Sequence, residues 1–258
     1  VGVALSDDRA KVMSYPSNPT NKIGDGVLYK GYTVGDIWGY VTGGILQEGD
    51  FDGVNSNGKP IYHGPYFKGG QAYPGYIWYQ DLDHDGVITT GLNTVDDPGD
   101  RKVIGNNAPR YRYNITANFQ YKGFDLDLMF QGVGKRDYWL SSSSSYWGNG
   151  AGSWETYNDS WTPERIDAKF PMYGYGLGSY TQSGYLLDAS YIKLKQVILG
   201  YTFPKALINK IGLQKLRLNV AAYNLFTISD MPKYYDSDYL SDAYPPKRTF
   251  SVGIQVGF

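Results

Sequence analysis

Hydrophobic and polar positions alternate most cleanly at the end of the chain. In Arg248-Thr-Phe-Ser-Val-Gly-Ile-Gln-Val-Gly-Phe258, the residues Phe250, Val252, Ile254, Val256 and Phe258 fall at every second position. Ser251, Gly253, Gln255 and Gly257 lie between them. A period of two predicts a strand with one apolar face and one small, uncharged face. A soluble strand with its apolar face inward fits this pattern. So does a membrane β-barrel strand whose apolar face meets lipid and whose small face meets a wet lumen.

Arg110–Lys122 is longer and sharper. Tyr111, Tyr113, Ile115, Ala117, Phe119 and Tyr121 alternate with Arg110, Arg112, Asn114, Thr116, Asn118, Gln120 and Lys122. Lys122-Gly123 reads as a tight turn. Phe124, Leu126, Leu128 and Phe130 then alternate with Asp125, Asp127 and Gln131. Strands of soluble sheets average about five or six residues, whereas crossing a bilayer takes about 9–11. The length of this pattern favours a membrane barrel, with Tyr111, Tyr113, Ile115, Phe119, Phe124, Leu126, Leu128 and Phe130 toward lipid. Arg112, Asn114, Asn118, Asp125 and Asp127 would then face the lumen.

Tyr191–Phe203 is a further strand that changes phase. Ile192 and Leu194 are apolar in one register, and Val197, Leu199, Tyr201 and Phe203 in the other. One extra residue reconciles them, so a β-bulge is expected near Lys195–Val197. Pro204–Gly212 reads as a short helical turn. Lys215–Thr227 is a strand with Leu216, Leu218, Val220 and Ala222 on one face and Arg217 and Asn219 on the other. Residues 1–13 alternate poorly and give a weak strand, and one strand is expected near Ile37–Thr42. Residues 47–109, 140–188 and 228–246 read as long loops, a length that marks functional or disordered segments. Short turns alternating with long loops are the rhythm of outer-membrane barrels, which would place Phe258 at the periplasmic rim.

Composition narrows the classes. The chain has 258 residues with 33 Gly, 26 Tyr and no Cys, so disulfide and thiolate chemistry are absent. Lys plus Arg is 24 and Asp plus Glu is 25, a balance that argues against a nucleic-acid partner. No run approaches the roughly 18 to 20 apolar residues of a membrane helix, so a crossing would be by strands. Val1 is preceded by neither a leader nor an initiator Met, as in a mature product or a fragment.

Two motifs carry candidate chemistry. Asp81-Leu-Asp-His-Asp-Gly86 has the form of a calcium loop, with Asp81, Asp83 and Asp85 as carboxylate ligands and the Val87 carbonyl at position seven. Position twelve is Leu92, so the bidentate Glu is missing; Asp96, Asp97 or Asp100 are candidate substitutes. The competing reading is a turn held by side-chain to backbone hydrogen bonds. Trp147, Trp154 and Trp161 share the second long loop, where they could grip a sugar or a partner protein, or form a small core. His63 and His84 are the only histidines and lack a second ligand at metal spacing, and no residue pattern specifies an enzyme or an organic cofactor. Asn158-Asp-Ser160 has the form of a glycosylation acceptor, which in an envelope protein reads as chance.

Several segments together resemble the SusC/RagA family of TonB-linked outer-membrane transporters. They are Tyr73-Pro-Gly-Tyr-Ile-Trp-Tyr-Gln-Asp-Leu-Asp-His-Asp-Gly-Val-Ile88, Asp100-Arg-Lys-Val-Ile-Gly-Asn-Asn-Ala-Pro-Arg110, Tyr121-Lys-Gly-Phe-Asp-Leu126 and Trp161-Thr-Pro-Glu164. Tyr191-Ile-Lys-Leu-Lys-Gln-Val-Ile-Leu-Gly-Tyr-Thr-Phe-Pro204, Tyr223-Asn-Leu-Phe-Thr227 and the terminal strand complete the set. Their order resembles the C-terminal part of that family over nearly the whole chain; Thr89–Pro98 is longer than the resemblance leads one to expect. The resemblance implies an all-β fold, the C-terminal portion of a large antiparallel transmembrane β-barrel of about 22 strands with a plugged lumen. It implies residence in the bacterial outer membrane, contact with membrane lipid, and import of a large nutrient, a glycan oligomer or a peptide. It further implies a SusD-like surface lipoprotein, energy from TonB, and a plug domain and remaining barrel upstream of Val1. On that reading residues 1–258 need the N-terminal part to fold. Two other readings stay open on the residues alone. One is a self-contained barrel of about eight strands, a porin or adhesin, since six strands are clear and two are weak. The other is a soluble, calcium-dependent carbohydrate-binding β-protein.

Overall fold

The computed structural model describes residues 1–24, 26–139, 157–174, 180–233, 235–240 and 246–258. The first strands in the chain are β1 (Gly2–Ser6), β2 (Asp36–Tyr40), β3 (Thr42–Ile45), β4 (Phe51–Val54) and β5 (Pro60–Tyr62). β6 (Tyr66–Phe67), β7 (Ile77–Tyr79), β8 (Val87–Ile88) and β9 (Arg101–Asn106) follow. Next come β10 (Arg110–Tyr121), β11 (Phe124–Lys135) and β12 (Asp137–Trp139), then β13 (Leu186–Asp188) and β14 (Tyr191–Thr202). A helical turn, α1 (Lys205–Ile208), leads to β15 (Lys215–Ile228) and β16 (Thr249–Gly257). No helix among the described residues is long and apolar enough to cross a membrane.

The chain divides into two compact units. The first comprises Val1–Arg9, Pro109–Asp137 and Asp188–Phe258. It holds one six-stranded antiparallel sheet in the order β1-β10-β11-β14-β15-β16. β10, β11 and β14 are each 12 residues long and β15 is 14, long enough to cross a bilayer. Lys122 and Gly123 have φ of 46° and 90°, the left-handed pair that a two-residue hairpin turn requires. Register puts Phe119, Leu126, Leu199, Val220 and Val252 in one row across five strands. Gln120, Asp125, Gly200, Asn219 and Gly253 form the adjacent row on the opposite face. The alternation read along each strand is thus consistent between strands. It gives the sheet an apolar face and a polar face, and Val252 on the apolar face is 76% exposed.

Two features of this sheet depend on single residues. Arg217 on β15 reaches across β14 to an ion pair with Asp125 on β11. Gly200 lies between them, and a Cβ there would sit 2.5 Å from both the Arg217 Nη2 and the Asp125 Oδ2. The expected β-bulge is present at Lys195: Leu194 pairs with Phe130 while Gln196 pairs with Met129. Toward β15 the surplus residue lies on the other strand, where Leu194 pairs with Phe226 and Gln196 with Tyr223. Asn224 occupies that step at φ 54°.

The weak strand expected over residues 1–13 is confined to Gly2–Ser6, where it pairs with β10. β1 and β16 each pair on one side only, so the sheet does not close on itself among the described residues.

The second unit comprises Ala10–Ala108 and Tyr138–Leu187. Here the expectation of a single loop over 47–109 is corrected: β4 to β9 lie within it. The single strand expected near Ile37–Thr42 is in fact two, β2 paired with β9 and β3 paired with β7. β4 pairs with β5, and β6 runs parallel to β8. Strands of two to six residues are too short to show a period, and most of these partners are distant in sequence. Their common core is aromatic. Phe67 stacks on Tyr180 at 4.6 Å, and both meet Tyr40 and Tyr79. Buried Gln182 donates to the Tyr79 hydroxyl at 3.1 Å and accepts from Thr42 at 3.2 Å, so no amide group is left without a partner. The long stretch Thr89–Pro98 is pinned to an earlier segment: Ile23 N donates to Asn93 O and Val95 N to Asn21 O, each at 3.0 Å.

The two faces of the large sheet are open to direct test. Leu128→Arg, further along β11 and nearer the bilayer midplane, should cost about 2–4 kcal/mol, read as a lower urea midpoint of the full-length protein in lipid. Spin labels at Leu128 should report lipid and labels at Asp127 water; the reverse would mean that the register is wrong by one residue.

Candidate functional site

The Asp-rich motif lies in the second unit, between β7 and β8. Asp81 accepts from the backbone N–H of His84 at 2.7 Å and of Gly86 at 2.8 Å. Asp83 accepts from Asp85 N at 3.2 Å, and Asp85 from Val87 N at 2.8 Å. His84 and Gly86 take positive φ, of 62° and 85°. Side-chain to backbone bonds therefore shape the turn by themselves.

The residue beneath it is Asp100, which is fully buried. Its carboxylate accepts from Leu82 N at 2.8 Å and from Thr89 N at 2.7 Å, clamping the two ends of the loop. Oxygen atoms of Asp81, Asp83 and Asp100 all lie within 4.8 Å of one another. Asp85 is not in that group, and its carboxylate is turned to the Val87 amide. Of the expected calcium ligands, then, the fold brings together Asp81 and Asp83 and adds Asp100. Burial works against the Asp81 charge, but the amides of Gly86 and His84 hold its pKa below the usual carboxylate value. For Asp83 the Asp85 amide pulls the pKa down, while burial and the charges of Asp100 and Asp85 push it up, and the upward effects win. Three carboxylates in one place form a hard-oxygen donor set, the kind that suits a calcium ion.

The tryptophans were expected to offer a contact surface or a small core. Trp147 and Trp154 lie outside the described residues. Trp161 is 4% exposed, its indole N–H donates to Gln47 at 2.8 Å, and its ring packs over Gly75. It supports the loop from within, which corrects its placement as a contact residue. On β16, Phe250, Val252, Ile254 and Val256 are all exposed, as is Phe258 just beyond it, which is what a lipid-facing column requires.

A charged cluster in the first unit gave no signal in the sequence. Lys193 on β14 is only 2% exposed. Its Nζ lies 3.0 Å from the Asp236 Oδ2 and 3.7 Å from the Asp238 Oδ2. Lys195 reaches Asp238 at 2.9 Å, and the Tyr191 hydroxyl donates to Asp238 at 2.7 Å. Asp236 also accepts from the N–H of Asp238 and Tyr239. The bulge at Lys195 breaks the alternation at the point where these cations gather. Ser229 donates to Ser190 O at 2.8 Å, and Met231 and Tyr235 are buried. The loop after β15 is thereby strapped to the wall of the sheet. The in-phase run Tyr191, Lys193, Lys195 and the pair Asp236, Asp238 were visible as charge, but nothing local joined them.

The chain is 30% identical over 250 residues to TonB-dependent receptor P3 of Formosa agariphila, covering 90% of this chain and 23% of that protein. It is 24% identical over 270 residues to TonB-dependent receptor P39 of the same organism. Over nearly its whole length the chain is thus similar to part of TonB-dependent receptors. No family model matches it. Among solved structures, the RagAB peptide transporter matches with a TM-score of 0.59 at 17% identity, over 96% of this chain and 25% of that one. The RagAB peptide importer in its open-open state matches with a TM-score of 0.64, again at 17% identity, over 99% of this chain and 26% of that one. The receptor-like chain therefore has the SusC/RagA barrel fold and is an outer-membrane protein, and it spans about a quarter of the length of these relatives.

The strap has a definite electrostatic signature. Burial raises the Asp238 pKa, but the Tyr191 hydroxyl, Lys195 and Lys193 outweigh it and leave the pKa lowered. A lowered carboxylate stabilises the fold above its unfolded pKa, near about 3.9, and that stabilisation is lost as pH falls through the lower folded value. Tryptic cleavage after Lys233 of the full-length protein should therefore stay slow from neutral pH down to about 4 and rise in stronger acid. Asp236→Ala leaves buried Lys193 with only the more distant Asp238, at 3.7 Å, and should cost up to about 3 kcal/mol, making the same segment labile at neutral pH. Slow cleavage in that variant would show that the ion pairs do not hold the strap.

Proposed function

We propose that this receptor-like chain forms part of an importer that brings a large nutrient, a glycan oligomer or a peptide, across the outer membrane. TonB supplies the energy and a SusD-like surface lipoprotein is the partner. The single observation that carries this reading is the two-faced sheet, apolar outward and polar inward, with β1 and β16 left as open edges. In lipid each unsatisfied backbone group costs several kcal/mol, so both edges take strands from the remaining barrel of the same transporter. No bond is made or broken in this work. The polar row of Gln120, Asp125, Asn219 and their neighbours gives a wetted wall past which a hydrophilic cargo can move. The RagAB structures are described as those of a peptide transporter, which supports a large cargo here and leaves a peptide and a glycan oligomer as the two classes to assay.

Calcium is assigned in the same reading to the cluster of Asp81, Asp83 and Asp100. An ion there would relieve the repulsion that raises the Asp83 pKa and would fix the loop between β7 and β8.

Two measurements test these assignments. Deleting the transporter gene, or removing TonB, should abolish growth on the oligomeric nutrient and spare growth on its monomer; unchanged growth on the oligomer would refute import. For the ion, cleavage by protease between Asp81 and Arg101 should rise on chelation and fall again when calcium is restored. Cleavage that ignores chelator would leave the hydrogen-bonded turn as the whole explanation of the motif.

A further inference from the structure

The short-turn end of the sheet carries a set of charges that import does not use. Gly123 O accepts from Thr202 N, Phe203 N donates to Leu216 O, and Gln214 N donates to Gly257 O, so these four segments form one rim. Along it stand Lys122, Lys205, Lys210 and Lys215, all exposed, and none forms an ion pair among the described residues. Neither Phe119–Phe124 nor Tyr201–Leu218 contains an acidic residue. Asp125, which follows Phe124 on β11, is already committed to Arg217.

The connecting turn is amphipathic. Ile208 is 2% exposed and anchors it, whereas Leu207 is 57% and Ile211 67% exposed, four residues apart on one side of a helical turn. Just above the rim, Phe124, Tyr201 and Phe203 form a chain of ring contacts at 4.5 and 4.9 Å. Phe124 and Tyr201 belong to the apolar face by register. Aromatic rows of this kind mark the membrane–water interface, so the next residues along the chain lie at headgroup level. The Lys122 ammonium lies 5.2 Å from the centre of the Tyr121 ring, which keeps it at that level.

We propose that this rim binds anionic phospholipid headgroups of the periplasmic leaflet through Lys122, Lys205, Lys210 and Lys215, with Leu207 and Ile211 seated in the acyl boundary. The occupant is the membrane because the surface continues the lipid-facing column without a break and its charged side chains are all basic. Basic residues near an anionic surface and an apolar face a few ångströms deep are the two parts of an interfacial anchor. The rim would then fix the depth of the sheet in the bilayer and keep a shell of acidic lipid around it.

The test uses the full-length transporter in nanodiscs. A fluorophore is attached at Ile211→Cys in a background whose other cysteines, none of them in this chain, are replaced. Quenching is compared for brominated phosphatidylglycerol and brominated phosphatidylethanolamine at equal mole fraction. Native lysines should give a preference for the anionic lipid of roughly fivefold or more. Lys210→Gln should reduce it, and the variant with all four lysines changed to Gln should bring it to about one while both lipids still quench. Equal quenching with the native lysines would overturn the proposal. So would quenching by aqueous iodide in place of either lipid, or protection from all three quenchers, which would mean that protein covers the turn.

Discussion

Everything in the large sheet follows from the need to pair every backbone N–H and C=O where no water can reach them. A strand that crosses lipid must be hydrogen-bonded on both sides along its whole length. That requirement sets the 12- to 14-residue length of β10, β11, β14 and β15. It also explains why β10 and β11 keep one unbroken register through eleven paired positions. Once the ladder is continuous, side-chain period does the rest. Apolar residues accumulate on one face and amides and carboxylates on the other, because a one-residue slip would put Asp125 and Asp127 into hydrocarbon.

The polar face is not merely wet; parts of it are cross-linked. Arg217 and Asp125 join two strands across a third, and this is possible only because Gly200 leaves the space between them. Away from the Lys122-Gly123 turn, Lys193 and Lys195 hold Asp236 and Asp238, and with them the stretch around these two carboxylates. A lysine as buried as Lys193 is tolerable only because the carboxylates come with it. The strap and the wall are one electrostatic unit, and the bulge at Lys195 is part of its geometry.

The second unit solves a different problem. Its segments are too short to be stable as isolated hairpins, so stability comes from aromatic packing around Tyr40, Phe67, Tyr79 and Tyr180 and from polar groups that are each satisfied. Asp100 and Gln182 are buried polar residues that tie together segments distant in sequence: Asp100 holds both ends of the acidic loop and Gln182 links Thr42 to Tyr79. Long connections can in this way present a fixed surface instead of a set of independent loops.

The long strands were legible in the sequence because their information is local. Thirteen alternating residues at Arg110–Lys122, the phase change near Lys195 and the Lys122-Gly123 turn each state their geometry within one segment. The same holds for the helical turn after Pro204 and for the apolar column from Phe250 to Phe258. What only the tertiary structure decided depends on residues far apart in the chain. β2 finds β9 across some sixty residues of Gly- and Asp-rich sequence. Asp100 replaces Asp85 as the third carboxylate because the chain returns beneath the loop, not because of its spacing from Asp81. Trp161 is a supporting residue because Gly75 and Gln47 meet it from elsewhere. Lys193 is buried because a distant loop folds back over it. A period reports the environment along one strand; a contact between segments costs chain entropy that no local pattern records, and its sign is settled only by what the two segments bury together.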